Sequence, residues 1–211
     1  MPRRLQPLAA NHVERLPCPS AGCIFWESPE KLELVCGSAC DIEIARGWCE
    51  RVSEEWGECG RVAADEDGEI LGFIKYAPAS YFPQATQLPI PPPPPGGVLL
   101  ACVHIRDDAR RLGLGRVLLF AALKDLAHRG EKAVWAYGYT AHVDMGEVPM
   151  IGVEFLLRHG FTVTSPHPIH PLLQMDVRSL VSWTENLESM LQTLRIPVGR
   201  ARRVPSPSID A

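Results

Sequence analysis

Nothing in this 211-residue sequence approaches the length of apolar chain that crosses a bilayer. The opening stretch, MPRRLQPLAANHVERLP, has no hydrophobic segment of the kind that directs secretion. The expectation is a cytoplasmic protein with no membrane partner. An excess of one charge is missing too. There are 21 Lys and Arg against 25 Asp and Glu, a net charge of −4 and a pI near 6.0, which argues against nucleic acid as a main partner. A mildly acidic surface is compatible with a cationic amine. The C-x2-C knuckles of a strong zinc motif are also absent. The seven cysteines (Cys18, Cys23, Cys36, Cys40, Cys49, Cys59 and Cys102) are odd in number and scattered, which suits reduced thiols better than a disulfide framework. Cys18-x4-Cys23 and Cys36-x3-Cys40 leave open a four-thiol zinc site or a redox-responsive pair, and no metal is assigned from them. Neither G-x-G-x-x-G nor Gly-Lys-Ser/Thr occurs, so the dinucleotide and P-loop fingerprints are excluded, and no internal repeat is visible.

With hydrophobic residues at 46% and charged residues at 22%, the chain can bury a sizeable core, as one domain with extensions. Its organising stretch is residues 98–129. The apolar run from Val98 to Val103 reads as a buried strand. A polar turn follows, then Arg110-Arg111-Leu112-Gly113-Leu114-Gly115, then a helix with Leu114, Val117, Leu118, Ala121, Ala122 and Leu126 at helical spacing. A strand, a glycine-bearing turn and a helix start aim several backbone N–H groups and the positive end of a helix dipole at one place. That place suits a phosphate or diphosphate. A β-carbon at position 113 or 115 would hold such a ligand off the backbone.

This R-x-x-G-x-G lies five residues after Ile105, and the pattern resembles the acetyl-CoA motif V/I-x-x-x-x-Q/R-x-x-G-x-G/A of the GNAT superfamily of N-acetyltransferases, with Ile105, Arg110, Gly113 and Gly115 in its key positions. Phe155-Leu156-Leu157-Arg158-His159-Gly160-Phe161 is similar to the family's F-Y-x-x-x-G-F. The resemblance implies an α/β, GNAT-like acyl-CoA N-acyltransferase fold: a mixed, mostly antiparallel sheet with splayed central strands, flanked by helices. It implies acetyl-CoA as cosubstrate, an amine acceptor, and a homodimer that exchanges C-terminal strands or helices. It also places the cosubstrate on Val103, Ile105, Arg110, Arg111, Leu112, Gly113, Leu114, Gly115 and Arg116. In that arrangement the N–H of Ile105 faces the thioester carbonyl, amides from Arg111 to Arg116 hold the diphosphate, and the arginines add charge. A solvated helix start is the plain alternative for at least one of them.

The rest of the chain divides into an N-terminal arm with a short first strand (1–40), the transferase domain (41–178), and a C-terminal helix with a basic, disordered tail (179–211). The arm is irregular over residues 1–22, with the first strand at 22–27. Asp41 caps a helix over residues 41–56 that buries Ile44, Trp48 and Val52, closed by Gly57. Residues 61–65 and 69–76 flank Glu66-Asp67-Gly68 as a hairpin. The proline-rich segment 77–97 reads as a stiffened loop, either a wall of the site or a surface spacer. A strand at 132–137 leads to the loop 138–148; Pro149 opens a helix ending at His159-Gly160. Strands at 161–164 and 172–177 and a helix at 184–194 complete the reading.

Acetyl transfer needs a positioned thioester, a stabilised oxyanion and a path for protons. The tyrosine that the family uses as general acid is replaced by Leu156, and no carboxylate lies in the strand from Val98 to Ile105. Substitutes lie in the loop 138–148: Tyr139 to protonate the leaving thiolate, and His142, Asp144 or Glu147 to accept the ammonium proton. Cys102 reads as an inert core thiol, His104 as alternating away from the cleft, and His167 and His170 as shaping the acceptor mouth or stiffening a turn. The other reading of the missing tyrosine is a catalytically silent, redox-responsive acyl-CoA-binding module.

Overall fold

The computed structural model describes residues 4–18, 22–140 and 148–178. Seven strands run side by side in the order β1 (Arg4–Pro7), β2 (Gly60–Ala64), β3 (Ile70–Pro78), β4 (Val98–Ile105), β5 (Ala133–Tyr139), β8 (Leu172–Asp176) and β7 (Thr162–Ser165), with the two-residue β6 (Ile151–Gly152) beside β5. Neighbours are antiparallel except β4–β5 and β5–β6. The mixed, mostly antiparallel sheet with flanking helices is the architecture expected from the sequence.

Helix α1 (Ile42–Glu55) lies over one face and α2 (Leu114–His128) over the other. Asp41 caps α1 as expected, its Oδ1 accepting from the N–H of Ile44 at 3.0 Å. The buried stripe is Ala45, Trp48, Cys49 and Val52, while Ile44 is 49% exposed. Trp48 and Val52 are buried as expected, with Ala45 rather than Ile44 in the first turn of the stripe. On the α1 face Phe25, Trp26, Trp48, Phe73, Phe82 and Tyr137 form one core; on the α2 face Leu100, Leu118, Leu123, Ala136, Leu156 and Leu173 form the other. Each fully buried leucine contributes about 1.5–3 kcal/mol.

The hairpin forms around Gly68 at φ +84°, with Asp65 Oδ1 accepting from the N–H groups of Asp67 and Glu69. Two expectations fail. Residues 22–27 form turns, with one isolated bridge between Cys23 and Cys40, and the strand of this region is instead Arg4–Pro7, which pairs with β2 from Arg4↔Ala64 to Pro7↔Arg61. The apolar residues of Cys-Ile-Phe-Trp are buried as a folded plug, not as a sheet edge. Pro149 does not open a helix: its carbonyl accepts from Trp26 Nε1 at 2.7 Å, Ile151 pairs with Gly138, and α3 spans only Val153–Arg158. The proline-rich loop is more than a spacer, since Phe82, Ala85 and Gln84 are buried and Gln84 Nε2 donates to the carbonyls of Phe25 and Glu30. The expected helix at 184–194 and the tail lie outside the described residues.

Candidate active site

The site starts where β4 and β5 part. Their parallel pairing runs from Val98↔Val134 to Leu100↔Ala136 and ends there, while β5 turns its far end to β6 and β8. At the same level the register between β3 and β4 shifts, Tyr76 facing Leu100 and Lys75 facing Cys102, so Ala101 is the extra residue of a bulge. A bulge changes the alternation of a strand. Val103 and Ile105 therefore pack toward the α2 face, and Cys102 and His104 toward the α1 face. Among the described residues, no strand hydrogen-bonds the β5-facing edge of β4 beyond Leu100. A free backbone edge inside a folded sheet is a place for an extended ligand to pair.

That edge opens on a cavity of ≈ 520 Å³, within the range of sites for sizeable ligands. Its walls include Val103, Ile105, Arg110, Arg111, Gly113, Leu114, Gly115 and Arg116. The backbone is left-handed at Arg111 (φ +61°) and at Gly113 (φ +75°), the residue that caps α2. This pair of turns delivers the first N–H groups of a fifteen-residue helix to the cavity. A Cβ built at Gly115 would point into the gap toward Phe155, 3.6 Å from its ring, and so would occupy part of the cradle. Four arginines border the cavity: Arg110, Arg111, Arg116 and Arg158. The residues therefore fit an extended ligand with a diphosphate at the α2 end.

The arginines are not equivalent. Arg110 Nε donates to the carbonyl of Ile105 at 3.3 Å, and its Nη2 meets Asp107 at 3.0 Å, so this side chain ties the end of β4 to the turn. Arg116 lies over the ring of Phe120 at 5.4 Å. Arg158, Phe155, His159 and the segment Met150–Gly152 also line the cavity, and the sequence assigned them no cosubstrate role. The FLLRHGF segment marked their place without saying which of its side chains face the cavity. His159 is held by its Nδ1 at 2.7 Å from the Phe155 carbonyl and by its ring against Phe155. Leu112 is not part of the wall. Leu156, at the family's tyrosine position, is completely buried in the α2-side core.

Tyr139 ends β5 opposite Gly152, a residue of the cavity wall, but its own ring stacks on His170 at 5.6 Å. His170 stacks in turn on His167, whose Nδ1 accepts from the N–H groups of Ile169 and His170. That bonding stiffens the turn between β7 and β8. His142, Asp144 and Glu147 lie outside the described residues.

Behind β4 the chemistry differs. Lys75 and Glu27 form a buried ion pair at 2.8 Å, with Lys75 also over the ring of Trp48. Among the described residues, buried Glu27 Oε2 has no hydrogen-bond partner. Burial pushes the Cys102 thiol up, consistent with an inert core residue. His104 lies on this side, as expected; burial, with the charges of Lys75 and Arg110, holds its imidazole down at about 4, so it is neutral at pH 7.

The comparisons with known proteins agree with this geometry. The model of the "Acetyltransferase (GNAT) family" matches residues 24–161. No curated protein matches the sequence. Solved structures that resemble the fold include Chaetomium thermophilum Naa20 in complex with a bisubstrate analogue (16% identity, 85% of this chain and 89% of that one, TM-score 0.52). Ard1 from Thermoplasma volcanium is similar over 83% of this chain and 98% of its own, at 12% identity and TM-score 0.53. A putative phosphinothricin N-acetyltransferase covers the same shares at 16% identity and TM-score 0.54. At these identities the structures speak for the fold, while the family model covers most of the sequence, including the arginine–glycine turn and the α3 segment. The chain belongs to the GNAT family of acetyl-CoA-dependent acetyltransferases.

Proposed function

We propose that this protein moves the acetyl group of acetyl-CoA directly to a primary amine, on a small molecule or on a protein. The observation that carries the reading is the unpaired edge of β4 beyond Leu100, which faces a ≈ 520 Å³ cavity closed at one end by the arginine–glycine turn. When bound, acetyl-CoA supplies a thioester. The C–S bond breaks as a C–N bond forms, the amine loses a proton, and the thiolate takes one up.

In this reading Ile105 offers its N–H to the thioester carbonyl, and Val103 packs beside the pantetheine arm. Amides of Arg111, Gly113, Leu114, Gly115 and Arg116 hold the diphosphate, with countercharge from the side chains of Arg111 and Arg116. Arg110 contributes mainly by shaping the turn, because its guanidinium is already bonded to Ile105 and Asp107. Tyr139, paired with the wall residue Gly152, is the proposed proton donor. His142 and Glu147 are the proposed proton acceptors, with Asp144 beside them. With Leu156 in place of the tyrosine, positioning of an already neutral amine supplies most of the rate. All seven cysteines are unbridged, which supports a reducing, cytoplasmic setting. The family resemblance points to a homodimer, which light scattering of the full chain tests.

The main test is release of coenzyme A with a panel of small amines and amino-terminal or lysine peptides, in the protein and in Gly113→Trp. Release that rises with pH as the amine deprotonates, and that disappears in Gly113→Trp, is expected. Tight acetyl-CoA binding with no release for any amine would leave only a silent acyl-CoA binder. Release that survives Gly113→Trp would remove the turn as the cosubstrate seat.

A further inference from the structure

Three potential ligand atoms converge behind β4, on the face away from the acetyl-CoA cavity. They belong to Cys18, Cys36 and His104, and all lie within 4.8 Å of one another. Cys36 Sγ is 3.7 Å from His104 Nε2. Around a tetrahedral zinc ion with Zn–S of about 2.3 Å and Zn–N of about 2.0–2.1 Å, a sulfur and a nitrogen stand about 3.6 Å apart. A lone S–H···N contact would account for the Cys36–His104 distance. It would not account for a second thiol brought to the same point from a different segment. Cys23 is a further sulfur beside the group, along the same small cavity as Cys18. A small cavity of ≈ 30 Å³, room for a water, touches Cys18, Cys23 and His104. Cys36 and His104 are buried, and the His104 ring is fixed by stacking on Phe73 at 5.3 Å. Cys40, the fourth thiol of the set weighed from sequence, is exposed and donates to the Gly37 carbonyl at 3.7 Å.

We infer that Cys18, Cys36 and His104 form a binding site for a soft divalent cation of the zinc class, with water or the Cys23 thiol as fourth ligand. Two thiolates and a neutral imidazole suit Zn²⁺ over hard cations such as Mg²⁺ or Ca²⁺, which take oxygen ligands. On binding, each ligating thiol gives its proton to solvent and its lone pair to the metal, so the filled three-ligand site is electrically neutral. The ion would tie residues 18 and 36, which lie in turns and irregular chain, to β4 one position from Val103 and Ile105 of the cavity wall. That is a staple for a segment with few backbone pairs of its own. This inference stands apart from the acetyltransferase reading, because no ligand of the metal lines the acetyl-CoA cavity.

The test uses the full reduced chain, prepared without chelator and analysed for metal, then stripped and titrated with Zn²⁺ and Co²⁺. One equivalent per chain is expected, with Kd below about 100 nM for Zn²⁺ and thiolate-to-Co²⁺ charge-transfer absorbance on cobalt loading. Cys18→Ser and Cys36→Ser should each reduce bound metal to less than about a tenth of an equivalent, whereas Cys40→Ser and Cys49→Ser keep it. His104 is buried and its loss risks misfolding, so the half-buried Cys18 carries the test, with circular dichroism as the check on folding. No cobalt–thiolate band in the folded, reduced chain overturns the inference. Metal retained in Cys18→Ser, or a disulfide between Cys18 and Cys23 or Cys36 in freshly isolated protein, overturns it as well.

Discussion

The two sides of β4 are built by opposite means. The Val103/Ile105 side is made of backbone: a free strand edge, two left-handed turn residues and a helix start, all within about twenty residues of continuous sequence. The Cys102/His104 side is made of side chains from distant segments: Glu27 with Lys75, and Cys18 with Cys36 and His104. Backbone sites tolerate side-chain changes except where a Cβ intrudes. Side-chain sites fail when any one partner is lost.

The sharpest way to break that comparison is Lys75→Met, which leaves the carboxylate of Glu27 buried and alone. Removing one member of such a pair costs about 3–5 kcal/mol, and Lys75→Met with Glu27→Leu should recover most of it. Urea unfolding measures the loss; acetyl-CoA affinity of the folded variant should change less than about threefold. A comparable failure of binding in the single variant would show that the two sides are not separate.

Gly113→Trp strikes the other side. It places a bulky side chain at φ +75° on the cavity wall, and acetyl-CoA affinity should fall at least about 100-fold, or about 2.7 kcal/mol, by calorimetry. Metal content should stay unchanged. A smaller loss, about tenfold, is expected for Arg110→Ala, because its bonds to Ile105 and Asp107 order the turn. Arg158→Ala, whose side chain is 71% exposed and pairs with Glu154 at 3.8 Å, should lower affinity only a few-fold and more at low salt.

Alkaline stability probes both cores through one tyrosine each. Tyr76 donates to Asp125 on the α2 side, and burial, followed by the Asp125 charge, raises its pKa; burial raises Tyr137, which donates to the carbonyls of Ala85 and Ile90 on the α1 side. A group whose folded pKa is raised contributes stability that is complete below its unfolded value, about 10 for tyrosine, and declines as pH rises above it. The protein should therefore weaken progressively above about pH 10, and Tyr76→Phe and Tyr137→Phe should each flatten that decline. A decline unchanged in both variants, read by thermal melts across this range, would mean that neither buried tyrosine controls alkaline stability.

What was legible in the sequence follows the same division. Asp41 as a cap, the hairpin at Glu66-Asp67-Gly68 and the strand–turn–helix around Gly113 rest on bonds between residues a few positions apart, so composition and spacing reveal them. The same logic failed at Pro149, where local preference favours a helix start but Trp26 and Gly138, distant in sequence, hold the segment extended. It failed again at residues 22–27, whose strand-like apolar run folds into a plug over the α1 core.

By itself the sequence determined the family, the order of strands and helices from α1 to β8 apart from the two-residue β6, and the turn at Arg110–Arg116, because each depends on local geometry and on apolar spacing. The tertiary structure alone decided that Arg110 is bonded within the turn, that Phe155 and Arg158 reach the cavity, and that Leu156 is sealed in the core. It also decided that His104, not Cys40, joins Cys18 and Cys36. The reason is that a bulge at Ala101 sets which residues of β4 face each side, and the packing of distant segments against those faces is not written in any local pattern.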